Sequence, residues 1–272
     1  MLETTIKNAL DKKIKSWLYT IKDKELVEAI KKDLIISGGA ITSMMQNEEP
    51  NDYDCYFKTK ETLLRVIRMY LPEFSNYSKE CDKVIEKEDG QIKIFISSRG
   101  FLSQKLSPED IEKKVKYKPL FVSSNALSLS DGIQLISRFY GEAEELHKNF
   151  DFIHTKAYYD IANNNLEIPK SVYESVMNKR LIFTNSKYPI CSLFRIKKFL
   201  KRGWNISAGE IFKISYAISK FDLDEISTLE DQLIGVDSYY FMKLIEDLKN
   251  KLEINETAVL QAVEKVFASI NE

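Results

Sequence analysis

Leu34-Ile35-Ile36-Ser37-Gly38-Gly39-Ala40-Ile41-Thr42-Ser43-Met44-Met45, followed after a short polar turn by Asn51-Asp52-Tyr53-Asp54-Cys55-Tyr56-Phe57, decides how this chain is read. Leu34 to Ser37 is a short apolar strand that ends on a glycine pair. Ala40 to Gln46 reads as a short helix, Asn47 to Pro50 as a turn, and Asp52 to Phe57 alternates like a strand. Glycines between a strand and a helix let the backbone come close to a phosphate, with N–H groups aimed at it. Carboxylates at i and i+2 on a strand project from one face, near enough to share magnesium or manganese, which take oxygen ligands. A lone glycine pair, or a lone Asp-Tyr-Asp strand, reads equally well as a turn or a solvated edge. Their order, separation and strand–helix–strand setting point instead to a metal-assisted phosphate chemistry.

Outward from this stretch, Ile6, Leu10, Ile14, Trp17, Leu18 and Ile21 recur at helical spacing and predict helix over residues 1–32. Thr59 caps a predicted helix with apolar positions from Thr62 to Leu71. Val84-Ile85-Glu86 and Ile92 to Ile96 bracket Asp89-Gly90, a hairpin signal. The polar stretch 99–117 is ambiguous, and Leu120 to Ser124 reads as a strand. Ser130 to Tyr140 reads as a helix capped by Ser130, and Asp151 to Tyr159 as a further strand. Asn163 to Asn165 marks a turn, and nearly every segment from Ser171 onward reads as helical. The expected class is α+β: a mixed sheet with flanking helices in residues 1–170, then a helical domain over 171–272.

With 272 residues, 44% apolar and 30% charged, the chain has material for a large core and is not a disordered chain. A net charge of −1 excludes an overall cationic nucleic-acid binder but leaves room for a local basic patch. Arg195, Lys197, Lys198, Lys201 and Arg202 form such a run, which reads equally as a solvated helix face. Cys55, Cys81 and Cys191 are far apart and odd in number, which argues against a disulfide framework or a zinc site. No apolar run approaches the length of a membrane span, so a soluble cytoplasmic protein with no membrane partner is expected.

The glycine pair and the Asp52/Asp54 strand together resemble the signature of the DNA polymerase β-like nucleotidyltransferase superfamily. The resemblance implies a nucleotidyltransferase-type sheet. It places Ser37, Gly38 and Gly39 on the triphosphate loop, Ser43 as an added phosphate contact, and Asp52 and Asp54 on the metal positions. Within the superfamily, the class II poly(A) polymerase and CCA-adding group is the nearest look. Asp151-Phe152 matches part of one of its motifs, and the helix around Arg195, Lys198 and Phe199 resembles its arginine-rich helix. Tyr188, Pro189 and Ser192 stand where that group carries base-reading Glu, Asp and Arg, so the CTP/ATP selection of CCA addition does not carry over. Stretches such as Phe121-Val-Ser-Ser-Asn-Ala-Leu and Lys201-Arg-Gly-Trp-Asn-Ile-Ser resemble nucleotidyltransferase-like proteins of tailed bacteriophages, which implies a phage origin and a bacterial host cell.

The superfamily often places a third carboxylate on a neighbouring strand. The strand Gln91 to Ser97 holds Lys93 at that position, and Asp151 is the alternative donor. Lys93 reads either as a phosphate-neutralising group in place of a metal or as the mark of a lost metal site. Arg138 reads as either a salt-bridge partner or a phosphate ligand; His147 and His154 read either as a helix-end and a strand-surface histidine or as groups that hydrogen-bond ribose or act as a base, with the helix-end reading favoured for His147. Arg195 and Lys198 complete the candidate nucleotide contacts, and the basic 195–202 helix is the candidate RNA contact. Phe199 and Trp204 read as core more readily than as a base-stacking pair. The expected activity is transfer of NMP from a Mg²⁺- or Mn²⁺-bound NTP to a hydroxyl, foremost an RNA 3′-end. A protein or small-molecule acceptor, or a non-catalytic binding protein, are the alternatives.

Overall fold

The computed structural model describes residues 3–74, 83–86, 92–95, 101–123 and 125–223, with positions 225, 228 and 232 beyond them; for 83–86, 92–95, 101 and 102 only the backbone is described. The chain divides into two compact units, Met1–Asn178 and Lys179–Glu272.

α1 (Glu3–Leu18) buries Ile6, Leu10, Ile14, Trp17 and Leu18 on one stripe, as their spacing predicts. The helix expected over 1–32 is two helices. The chain turns after Leu18 and restarts as α2 (Lys24–Asp33), whose N-cap Asp23 accepts from the Leu26 amide. That side chain satisfies an amide at the new helix start, so local capping overrides a continuous period. β1 (Leu34–Ser37), α3 (Gly39–Met45), β2 (Tyr53–Phe57) and α4 (Lys60–Tyr70, capped by Thr59) follow as expected. The Trp17 indole N–H donates to the Tyr70 hydroxyl at 2.8 Å, pinning α1 to α4. β3 (Lys83–Glu86) and β4 (Ile92–Phe95) pair antiparallel as a separate two-stranded sheet; the Asp89-Gly90 turn lies outside the described residues.

Next come β5 (Phe101–Ser103), α5 (Pro108–Glu112), β6 (Pro119–Ser123), β7 (Ala126–Leu129) and β8 (Ile133–Tyr140). β8 corrects the helix expected over Ser130–Tyr140. Ser130 caps no helix: its Oγ accepts from the Lys118 amide at 3.0 Å. Asp131 and Gly132 take φ of 61° and 74°, left-handed values that a helix cannot run through. Ile133, Ile136 and Phe139 have helical spacing, whereas Ile133 and Leu135 have the strand's period of two. β8 is pulled into a strand by pairing with β2 on one side and β7 on the other. The unit ends with α6 (Ala143–His147), β9 (Tyr158–Asp160), β10 (Asn165–Glu167) and α7 (Lys170–Met177). Asp151 corrects a second expectation. It lies not on a strand but in the turn before a short 3₁₀ segment, Ile153–Thr155, and only Tyr158 onward joins the sheet.

The main sheet has eight strands among the described residues, in the order β10-β9-β1-β2-β8-β7-β6-β5. Its central pair, β2 and β8, is parallel, and the other pairs are antiparallel. Ile36, Cys55, Leu135 and Tyr159 form one row across it. All are buried, and the Tyr159 hydroxyl donates to Asp11 of α1 at 2.5 Å, so the N-terminal helix covers this face. On the opposite face Ile35 and Tyr56 pack with Ala143 and Leu146 of α6. The α+β class and the mixed sheet with flanking helices are as the sequence implies.

The second unit pairs β11 (Arg180–Leu181) in parallel with β12 (Asn205–Ile206), with α8 (Pro189–Lys201) between them and α9 (Ala208–Ile218) after them. Buried Glu210 accepts from the Phe183 amide at 2.8 Å. Phe199 and Trp204 are buried with ring centroids 5.3 Å apart, a core pair and not an open stacking platform. No helix among the described residues is long and apolar enough to cross a membrane.

Candidate phosphate and metal site

β1 and β2 run antiparallel with Ile36 opposite Cys55, so Ser37 and Asp54 close the same end of the pair. Gly38 follows Ser37 with φ 100° and ψ −151°, a conformation that only glycine adopts readily. A Cβ there would lie 2.6 Å from Asp54 Oδ2. The glycine therefore does more than turn the chain: its missing side chain is the space into which the Asp54 carboxylate fits. Gly39 is different, for a Cβ on it would meet nothing within 4 Å. The Gly38 amide donates to the Thr155 carbonyl at 3.1 Å and is thus already used. The next amides, at the start of α3, have no acceptor inside the helix.

Asp54 is half-buried within β2, and Asp52 is exposed just before it. Asp54 is in the strand, whereas Asp52, expected at its start, lies one residue before it. Gly132 holds the adjoining turn close: a Cβ there would lie 2.6 Å from the Asn51 carbonyl oxygen. Hard carboxylate oxygens, one of them seated against Gly38 where no side chain intrudes, suit a divalent cation such as Mg²⁺ or Mn²⁺. The residues present therefore fit that group.

Ser37 is wholly buried. Its hydroxyl donates to the Ala157 carbonyl at 2.8 Å and accepts from the His147 Nε2–H at 3.0 Å. The hydroxyl thus holds the loop onto the 155–157 segment, and any phosphate contact from Ser37 falls to its backbone. Ser43 is buried in α3, and Thr42 donates to the His154 carbonyl at 2.6 Å, fastening the helix below the loop. The His154 ring is fully buried and stacked on Phe152 at 5.8 Å, a core position. His147, whose sequence context favours a helix-end role over a functional one, is the histidine that touches the loop. Nothing in the sequence near it signals the partner 110 residues away.

Burial, and then Lys156, push the His147 imidazole down to about 4 from its ordinary 6.5. The unfolded chain takes up a proton near the ordinary value, and the folded chain refuses it until near the lowered one. Stability is therefore full above pH 6.5 and falls as pH drops toward 4. Allowing for partial solvation, the loss across that window is roughly 1–3 kcal/mol. His147→Gln is expected to flatten this part of a urea-midpoint-against-pH profile; an unchanged slope would contradict the burial of His147.

Asp151 is buried and lies near Lys156, whose own proton affinity is lowered by burial and partly restored by Asp151. It does not join Asp52 and Asp54: among the described residues no three His, Cys, Asp or Glu side chains come together as a metal cluster. Lys93 lies on β4, which pairs with β3 and not with β2; its side chain lies outside the described residues. The strand beside β2 is β8, where Gln134 stands in register with Asp54. Arg138, farther along β8, is buried, donates to Asn125 Oδ1 at 3.4 Å and lies over the Phe139 ring. Arg195 and Lys198 are exposed on α8 of the second unit. A polar cleft of about 410 Å³ lined by Glu73, Gln104, Asp110 and Lys118 lies at the β5–β6 edge of the sheet and is separate from this site.

Residues 8–179 match the model of the Gabija anti-defense 2 (Gad2) family proteins. The chain is similar to "Gabija anti-defense 2" of Bacillus phage SPbetaL7, 25% identical over 255 residues, covering 93% of this chain and 53% of that protein. Among solved structures it is similar to the Thermotoga maritima CCA-adding enzyme complexed with tRNA, with TM-score 0.39, 11% identity and coverage of 93% of this chain and 53% of that one. It is also similar to the Bacillus stearothermophilus CCA-adding enzyme in complex with CTP, with TM-score 0.37, 10% identity and coverage of 82% and 50%. The chain spans about half the length of the phage relative and of these enzymes.

Proposed function

The chain belongs to the Gabija anti-defense 2 family, and from that premise we propose that its first unit binds a nucleoside triphosphate with a divalent cation and transfers the NMP to a hydroxyl acceptor in a phage-infected bacterial cell. The observation that carries this reading is the Gly38 cradle over the Asp54 carboxylate. It joins the phosphate-facing loop and the acidic strand at one end of the sheet, the arrangement their sequence order anticipates.

In this reading Asp52 and Asp54 hold the cation, and the first amides of α3 face the triphosphate. A cation bound there supplies neutralisation of triphosphate charge and stabilisation of the departing pyrophosphate. Ser37 and His147, bonded beneath the loop, keep its geometry fixed. His147, neutral at pH 7, adds no charge there. The acceptor oxygen forms a bond to the α-phosphorus, the α–β bridging P–O bond breaks, pyrophosphate leaves with that bond's electron pair, and the hydroxyl proton passes to solvent water. The exposed Arg195 and Lys198 favour a polyanionic acceptor, and so an RNA 3′-end.

The test is incubation of the full chain with each α-labelled NTP, Mn²⁺ or Mg²⁺, and bacterial RNA and protein. Label is expected on RNA and to fall on the order of 100-fold or more in the Asp52→Ala/Asp54→Ala variant. Label on protein instead would move the acceptor to that class. No label and no metal-dependent NTP binding would overturn the reading.

A further inference from the structure

The Asp52/Asp54 pair lacks a third carboxylate partner among the described residues. Asp151, the sequence candidate for that role, lies in the turn before the 3₁₀ segment, and Lys93, which stands at the position where the sequence leads one to expect a carboxylate, is on β4. What the sheet does bring to the pair is a neutral amide. β2 and β8 are parallel, with Tyr53 opposite Ile133, Asp54 opposite Gln134, and Cys55 opposite Leu135. Residues in register on adjacent strands project from the same face of the pleat, about 5 Å apart. Ile133, Cys55 and Leu135 are wholly buried, whereas Asp54 and Gln134 are half-buried on the other face.

Asp54 therefore stands between two neighbours: Gly38 on the β1 side, whose missing side chain leaves the space its carboxylate fills, and Gln134 on the β8 side. The Gln134 amide is also oriented. Its Nε2 donates to Ser128 Oγ at 3.4 Å, and Ser128 is the residue opposite it on β7. That bond uses the donor corner of the amide and leaves the carbonyl oxygen Oε1 as its acceptor corner. A side-chain amide oxygen is an ordinary ligand for hard cations, alongside carboxylates.

Resting on the reading of this end of the sheet as a cation and triphosphate site, we propose that Gln134 Oε1 is the third protein oxygen donor of that site. The donor set is then two carboxylates and one amide. It carries one negative charge fewer than three carboxylates, so the protein alone holds the cation weakly. The bound triphosphate must complete the site. Nucleotide and metal binding are thus strongly coupled, and the cation arrives with the substrate. Ser128 acts here as a positioning residue that presents the amide.

The test is titration of the full chain with Mn²⁺, read by electron paramagnetic resonance of the free ion, with and without an α,β-methylene nucleoside triphosphate, which resists transfer. Gln134→Ala is expected to weaken Mn²⁺ binding about 3- to 10-fold. Gln134→Glu, which supplies the missing charge, is expected to strengthen binding about 10-fold without the nucleotide and so to reduce the coupling between the ligands. Ser128→Ala gives a smaller loss than Gln134→Ala, and circular dichroism checks that each variant is folded. If folded Gln134→Ala and Gln134→Glu both stay within twofold of the parent while Asp54→Asn loses the ion, Gln134 is not a donor and the parent reading stands. If the parent chain binds no Mn²⁺ even with the nucleotide analogue, both fail together.

Discussion

Gly38→Val is expected to weaken metal-dependent nucleotide binding about 10-fold or more and to lower the melting temperature by several degrees, while Gly39→Ala leaves both nearly unchanged. The two positions are adjacent and identical in sequence, so the contrast isolates geometry. At Gly38 the backbone sits at φ 100° and ψ −151°. A residue with a side chain held there is strained by about 1–3 kcal/mol. Its Cβ would also lie 2.6 Å from Asp54 Oδ2, a distance real Cβ contacts do not reach. Either the loop lifts or the carboxylate moves, and in both cases the cradle is lost. Losing the position of one carboxylate ligand is expected to weaken cation binding about 10-fold or more. At Gly39 an added Cβ meets nothing within 4 Å and lies at the start of a helix, where alanine is favourable. Calorimetric titration with Mn²⁺ and an NTP analogue, beside thermal melts, checks both arms. Equal tolerance at the two glycines would mean that Asp54 does not sit under the loop.

Trp17→Ala is expected to destabilise the first unit more than any substitution at the site. Trp17 is among the largest wholly buried side chains of the chain. It lies on the stripe by which α1 packs, and its indole N–H is bonded to the Tyr70 hydroxyl of α4. Truncation leaves a cavity and an unpaired buried hydroxyl. Core Trp→Ala changes cost about 3–5 kcal/mol, which in a unit of this size lowers the melting temperature by about 6–20 °C. Trp17→Phe keeps most of the volume and loses the hydrogen bond, so its cost is smaller, about 1–3 kcal/mol. Urea unfolding followed by circular dichroism gives the order. A fall of less than 2 °C for Trp17→Ala would mean that α1 is not docked through Trp17. The Tyr70 hydroxyl, pushed to a higher proton affinity mainly by burial, stays neutral throughout the accessible pH range and does not complicate the comparison.

The parts of the fold that were legible in the sequence are those whose cause is local. The stripe of α1 follows from residue spacing alone. The β1–Gly38–α3–β2 run follows from an apolar strand, a glycine and a polar turn close together in the chain. The β3–β4 pairing follows from the composition of its turn region. Where two local readings compete, the stretch cannot decide between them. Ile133 to Tyr140 carries apolar residues at spacings compatible with helix and strand, and the vacant pairing edge of β2, far away in sequence, settles the matter. The same holds for the break at Asp23, where a cap interrupts a period that otherwise continues.

The candidate site divides along the same line. Its reactive residue types and their spacing, Gly38 with Asp52 and Asp54, were set by the sequence by itself, because phosphate approach and metal ligation need those groups within a few residues of each other. Its surroundings were decided only by the tertiary structure. His147 meets Ser37 across 110 residues of chain. Gln134 stands beside Asp54 because a parallel strand pair put it there. His154 and Asp151 are carried into the interior by a turn that the chain pattern resembles a strand too closely to reveal. Register between strands distant in sequence is a property of the whole sheet. One residue of slip would turn every such neighbour to the opposite face, and no local pattern records which register the sheet adopts.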